Sequence, residues 1–296
     1  MRAMATLRGI LTLGLLATNT IFWCAFLFPV ALLKLLPVPA WRIRLSRVLV
    51  GIAELWVDCN RGILALTQNI RWDVAGLEGL ERDRWYLVIA NHASWVDILV
   101  LQTVLNRRIP FLKFFLKREL IRVPVLGLAW WALDFPFMRR HGSKYLEQHP
   151  EARGEDLEAT RRACEKFRTS PVSIMNFVEG TRRTPARQQG SSYRNLLKPR
   201  AGGVAFVLGA MGGMLHALLD VTIVYPAGTP TFWKLCSGRI PEIVVRIHHH
   251  DIPDWAARGD YQGDARFRGR FKLWLRDLWI AKDAEIDGLL TDARAA

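Results

Sequence analysis

Residues 9–33 carry no charged side chain, and Arg8 and Lys34 close this run of 25 residues on either side. As a helix rising about 1.5 Å per residue it reaches about 37 Å, enough to cross roughly 30 Å of hydrocarbon. Such a segment has to be covered by lipid or by protein. A cleaved signal peptide has a shorter apolar stretch, and no small-residue cleavage site follows this one. Asn19 and Pro29 interrupt the run. Two geometries stay open: a helix that spans the bilayer, or a kinked helix hairpin that dips into one leaflet. Lys34, Arg42, Arg44 and Arg47 follow at once. By the positive-inside rule they place the rest of the chain on the cytoplasmic face of an inner (cytoplasmic) membrane, although Arg2 and Arg8 weaken the bias.

The charge of the whole chain agrees with an anionic surface. It carries 41 Lys and Arg against 27 Asp and Glu, a net +14. That balance attracts phosphate, in nucleic acid or in anionic lipid. The 12 tryptophans favour lipid, because an indole suits the membrane interface. Cys24, Cys59, Cys164 and Cys236 are widely spaced. They form neither a zinc pattern nor a disulfide framework.

Residues 48–70 mix apolar and polar positions at helical spacing. They read as an amphipathic helix, lying on a membrane or facing a core. From about residue 71 the pattern turns to α/β. Short apolar runs at residues 85–90, 110–115, 135–138, 172–178, 221–225 and 243–248 read as strands. Helical patterns fall at residues 95–104, 125–133, 155–167, 202–214 and 265–281. The expectation is an α/β fold, a mixed central sheet flanked by helices, after an N-terminal membrane helix or hairpin. The division expected is an anchoring segment at 1–70 and one α/β domain at 71–296.

Two short constellations carry chemistry. The first runs from Asn91 and His92 through Ser94 to Asp97. It follows a predicted strand and opens a helix, where open α/β sheets place ligands. A histidine there can take a proton from a hydroxyl. Asp97, one turn into the helix, can accept the other imidazole N–H and fix its tautomer. The competing reading is a capping box, Ser94 with Asp97, that only starts the helix. The second constellation is Glu179, Gly180, Thr181 and Arg182, again after a predicted strand. Gly180 permits a tight turn, and Thr181 and Arg182 can hydrogen-bond phosphate. Glu179 can orient Arg182 or a substrate hydroxyl; the competing reading is a solvated loop. Between Glu179 and Asp220 there is no acidic residue, whereas Arg182, Arg183, Arg187, Arg194, Lys198 and Arg200 all fall there. A loop of one sign draws a phosphate headgroup or a membrane surface. His248, His249 and His250 are three neighbours, but alternation along a strand keeps them from sharing one metal.

Taken in order, these blocks resemble the glycerolipid acyltransferase family. Asn91, His92 and Asp97 match its first block. Lys117, Leu120, Pro124, Gly127 and Phe137 to Arg140 are similar to its second. Glu179, Gly180, Thr181 and Arg182 match the third, and the apolar strand ending at Pro226 resembles the fourth. The resemblance covers roughly residues 71–230. It implies a glycerol-3-phosphate acyltransferase-like fold and an O-acyltransferase that converts lysophosphatidic acid to phosphatidic acid. It makes His92 the base and Asp97 its partner. It assigns acceptor binding to Lys117, Arg140 (or Arg139), Glu179, Gly180, Thr181 and Arg182, and the acyl-donor side to Pro226. Acyl-CoA or an acyl-carrier protein is the implied donor, with no metal and no other cofactor. The implied partners are a lysophospholipid and membrane lipid, and no nucleic acid.

Val178 stands where the family usually has proline, and Arg183 where serine is common. With Lys198, Pro199 and Arg200 ahead of Ala201, Gly202 and Gly203, this looks more like the branch containing lysocardiolipin acyltransferases. Lysophosphatidylglycerol, lysocardiolipin and lyso-ornithine lipid stay open as acceptors. A membrane-tethered basic protein that binds nucleic acid explains the charge but not His92 with Asp97. A serine hydrolase lacks its Gly-x-Ser-x-Gly elbow here.

Overall fold

The computed structural model describes residues 2–138, 158, 161, 162, 164–168 and 170–295. The apolar run becomes α1, Arg2–Leu33, with Pro29 inside it. Helix α2, Pro39–Thr67, starts well before residue 48, with proline in its first turn. The two pack as an antiparallel hairpin. Gln68 Nε2 donates to Thr12 Oγ1 at 2.9 Å, and Asn19 Nδ2 to Asn60 Oδ1 at 2.9 Å. Trp56 Nε1 donates to Thr20 Oγ1 at 3.1 Å. Polar groups on an apolar helix are thus matched against one another, which removes the cost of burying them alone.

Helix α1 is long and apolar enough to cross a membrane. Leu7, Ile10, Leu11, Ile21, Phe22 and Phe26 are exposed on it. Helix α2 follows the core-facing reading. Leu49, Ala53, Val57 and Leu64 are buried in one apolar cluster with Tyr86, Val88 and Ala90 of the sheet. The hairpin and the sheet therefore share a core.

The sheet is built from β1 (Arg71–Ala75), β2 (Tyr86–Ala90), β3 (Leu112–Phe114), β6 (Ser173–Phe177), β7 (Ala217–Val224) and β8 (Glu242–His250). Their order is β1-β8-β7-β2-β6-β3. Only the β7–β8 pair is antiparallel, so the mixed sheet expected from sequence is found. β2 lies between β7 and β6, and all five of its residues are buried. Strands covered on both faces read as continuous apolar runs, which is how residues 85–90 read. Two short strands, β4 (Leu116–Lys117) and β5 (Phe137–Met138), pair apart from the main sheet.

Helices cover both faces. With the hairpin, α3 (Val96–Leu105) and α4 (Leu126–Ala132) take one face. The other carries α6 (Ala201–Met211), α8 (Asp254–Arg258) and α9 (Ala265–Ala295). One-turn helices α5 (Pro185–Gln188) and α7 (Phe232–Cys236) lie in the connections. Helix α9 runs beyond the expected residue 281. Its Lys282 is buried and reaches Asp220 of β7 at 2.8 Å. Six of the thirteen residues of the helix expected at residues 155–167 lie outside the described residues.

Candidate active site

β2, β6 and β7 are parallel neighbours, so their carboxyl ends share one edge. Asn91 and His92 leave β2 there, Glu179 follows β6, and Tyr225 and Pro226 follow β7. Segments far apart in sequence are thus brought together by strand order alone, as open α/β sheets do.

Asn91 joins two of these segments. Its amide accepts from Ile223 N and donates to Ile223 O, each at 2.9 Å. It extends the pairing of β2 with β7 past the last strand residue and fixes where His92 emerges. His92 Nδ1 then lies 2.9 Å from Asp97 Oδ2. The carboxylate accepts, so Nδ1 carries the proton and Nε2 keeps its lone pair. The His92 ring stacks on Phe177, with centroids 3.9 Å apart and planes 14° apart.

Asp97 is fully buried and its bonds are all made. Oδ2 also accepts from Ala93 N at 2.7 Å and Ser94 N at 2.8 Å. Oδ1 accepts from the Tyr225 hydroxyl at 2.7 Å. The capping reading and the triad-like reading therefore describe the same carboxylate. Burial and the neighbouring Asp97 charge hold the Tyr225 phenol well above its usual range, so it stays a donor.

Glu179 is buried, and each of its oxygens already holds a backbone N–H. Oε2 accepts from His92 N at 3.1 Å and Oε1 from Leu197 N at 2.9 Å. Burial raises its pKa to about 7, against the pull of those two bonds. The sequence reading had it orient Arg182 or a substrate hydroxyl. The geometry is that of a brace between the His92 turn and the loop after Asn195. Leu197 O in turn accepts from Trp279 Nε1 at 2.9 Å, which ties α9 to the same brace. Gly180 has φ +68, and a Cβ there would sit 3.0 Å from the Arg200 side chain. The positive φ calls for glycine, whereas the Arg200 side chain is flexible enough to give way.

Arg182 is exposed and lies over the exposed Trp95 ring, 4.6 Å from its centroid. Thr181 is half-buried beside it. His92, Asp97, Glu179, Gly180, Thr181 and Arg182 are therefore one cluster. Lys117 lies in β4, but its side chain is outside the described structure, and Arg139 and Arg140 lie outside the described residues. Tyr225 and Phe177 belong to the cluster too. Sequence reasoning gave neither a role, although both stand at the ends of strands already placed.

A family model described as "Acyltransferase" matches residues 71–228. Among curated relatives, 1-acyl-sn-glycerol-3-phosphate acyltransferase 3 of Arabidopsis thaliana is 26% identical over 240 residues, covering 75% of this chain and 58% of the relative. 1-acyl-sn-glycerol-3-phosphate acyltransferase 2 of Brassica oleracea is 27% identical over 218 residues, covering 68% and 50%. The chain thus spans about half the length of the curated relatives it matches. In fold it is similar to a solved structure, the 1-acyl-sn-glycerophosphate (LPA) acyltransferase PlsC from Thermotoga maritima. The TM-score is 0.58 at 16% identity, over 94% of this chain and 99% of that one.

Proposed function

Since the chain belongs to the acyltransferase family, we propose that it transfers a fatty acyl group to the free hydroxyl of lysophosphatidic acid, giving phosphatidic acid. The observation that carries this reading is the His92–Asp97 pair at the carboxyl edge, with Nε2 the ring nitrogen not engaged by Asp97, beside a loop rich in arginine. The names of its relatives support the choice of acceptor.

The acceptor hydroxyl sits against His92 Nε2. Its oxygen attacks the thioester carbonyl of an acyl-CoA or acyl-carrier-protein donor while Nε2 takes its proton. Asp97 steadies the imidazolium that forms. The tetrahedral intermediate collapses, the C–S bond breaks, and the proton passes to the departing thiolate. No protein nucleophile is required, and the bond changes call for no metal or redox group. Arg182 and Thr181 hold the acceptor phosphate in this reading, as a guanidinium and a hydroxyl can. The exposed apolar side chains of α1 supply the membrane contact that both acyl substrates require. The rest of the chain then faces the cytoplasmic side of an inner membrane.

The test is phosphatidic acid formation by purified protein in detergent, from labelled lysophosphatidic acid and a series of acyl-CoA chain lengths. Product is expected with at least one chain length. Parallel arms use acyl-carrier-protein donors and the acceptors lysophosphatidylglycerol and lysocardiolipin. Turnover of one of those in preference to lysophosphatidic acid would move the acceptor assignment. No product in any arm would overturn the proposal.

A further inference from the structure

At the opposite edge of the sheet, a cavity of about 510 Å³ opens between the amino-terminal part of α2 and the segments that enter β3 and β6. Pro110 and Phe111 line it ahead of β3, and Pro171 and Val172 ahead of β6. Because β3 and β6 run parallel to β2, this is the end of the strands remote from His92.

Six cations line this cavity. Two are neutralised within it, Lys34 by Asp134 and Arg82 by Glu54. Lys113, Arg42, Arg47 and Lys166 have no anionic partner among the described residues. Lys113 matters most because it is only 8% exposed. Its ammonium finds only the face of Phe167, 4.6 Å away, and no hydrogen-bond acceptor among the described residues. The stem of Lys113 is buried, and its ammonium stands at the wall of a space large enough for a ligand. Arg42 and Arg47 are exposed at the mouth.

We propose that this cavity binds a phosphoryl anion at a site separate from the His92 edge, with Lys113 as the inner ligand and Arg42 and Arg47 at the entrance. A phosphate would supply the acceptors that Lys113 lacks and offset the unbalanced charge. Burial lowers the Lys113 pKa to about 8; Asp134 opposes this, and Lys34 and Lys166 add to it. The side chain is still mostly charged at neutral pH, and an anion in the cavity raises its pKa again. The phosphate can come from a lipid headgroup or from free phosphate. The hairpin favours the lipid, since Arg42 and Arg47 belong to α2, which packs against the outward-facing apolar helix α1.

The test uses the full chain in detergent and calorimetric titration with two separate probes, dihexanoyl phosphatidate and inorganic phosphate. Wild type should show a binding event that survives Arg182→Ala. Lys113→Met should weaken that event at least tenfold. The pair Arg42→Glu with Arg47→Glu, both at exposed positions, should weaken it at least fivefold. Unchanged affinity in a folded Lys113→Met overturns the proposal. If Lys113→Met does not fold, the entrance pair decides, and unchanged affinity there overturns it. Absence of any event that survives Arg182→Ala overturns it as well. Phosphatidate binding at least tenfold tighter than phosphate supports a lipid headgroup as the source. Equal affinity supports free phosphate in the same site.

Discussion

At the carboxyl edge of the sheet, Asp97 and Glu179 are buried with both oxygens of each engaged. At the amino edge, the stem of Lys113 is buried and its ammonium faces a cavity with no hydrogen-bond acceptor among the described residues. The first region is organised in advance: its buried carboxylates hold the backbone and each other's partners, and Nε2 of His92 is left for chemistry. The second carries more cations than anions, and its anions Asp134 and Glu54 are paired with Lys34 and Arg82. The difference teaches where to look for rigidity and where for a ligand. A saturated network fixes geometry for chemistry, whereas an unsatisfied one marks a binding site or a cost the fold carries.

Four substitutions press on that contrast. The largest effect should come from His92→Ala. Loss of a general base should lower phosphatidic acid formation by about 10²–10⁴-fold. The melting temperature should hardly move, because among the described residues the ring of His92 meets only Asp97 and Phe177. Full activity in that variant would end the catalytic assignment.

Glu179→Gln probes the brace through pH. Burial lifts the Glu179 carboxyl from 4.5 to about 7, so between these values the folded chain holds a proton that the unfolded chain has lost. Stability then falls as pH rises across that window. The stability of wild type minus that of Glu179→Gln should therefore drop by up to about 3 kcal/mol from pH 4 to pH 8. Urea midpoints at several pH values check this, and a flat difference would show that Glu179 titrates normally.

Tyr225→Phe takes one donor from Asp97 Oδ1. Stranding a buried carboxylate oxygen should cost about 1–3 kcal/mol. Activity should fall with it, because His92 depends on the same carboxylate. Denaturant melts and initial rates read the two effects separately. The smallest effect should be Lys113→Met. Removing an ammonium that lacks an acceptor should leave stability unchanged or raise it by about 1 kcal/mol. A clear loss of stability would mean that Lys113 is already satisfied and that the contrast between the two edges is false.

Much of this was legible in the sequence, for physical reasons. β2 is buried on both faces, so residues 85–90 are apolar throughout and announce a strand. His92 and Asp97 are five residues apart across the start of α3, so their pairing is a local one. β7 was expected only from residue 221 because Asp220 breaks its apolar run. The strand begins at Ala217 all the same, since Lys282 of α9 neutralises that carboxylate from below the sheet. β1 went unseen because it is an edge strand with mostly exposed residues and no clear alternation. The bonds from Tyr225 to Asp97 and from Glu179 to Leu197 join residues 128 and 18 positions apart, which no local pattern encodes.

The splint made by Asn91 has a consequence for the order of assembly. Its amide bonds to Ile223 across 132 residues of chain, and Tyr225 closes on Asp97 beside it. A refolding molecule can form the helical hairpin and α3 before the sheet, because their contacts span less chain than the pairings of β2 with β6 and β7. Until β7 docks, however, the turn that carries His92 has neither splint nor phenol to hold it. Recovery of activity should therefore lag behind the recovery of helical signal and coincide with completion of the sheet.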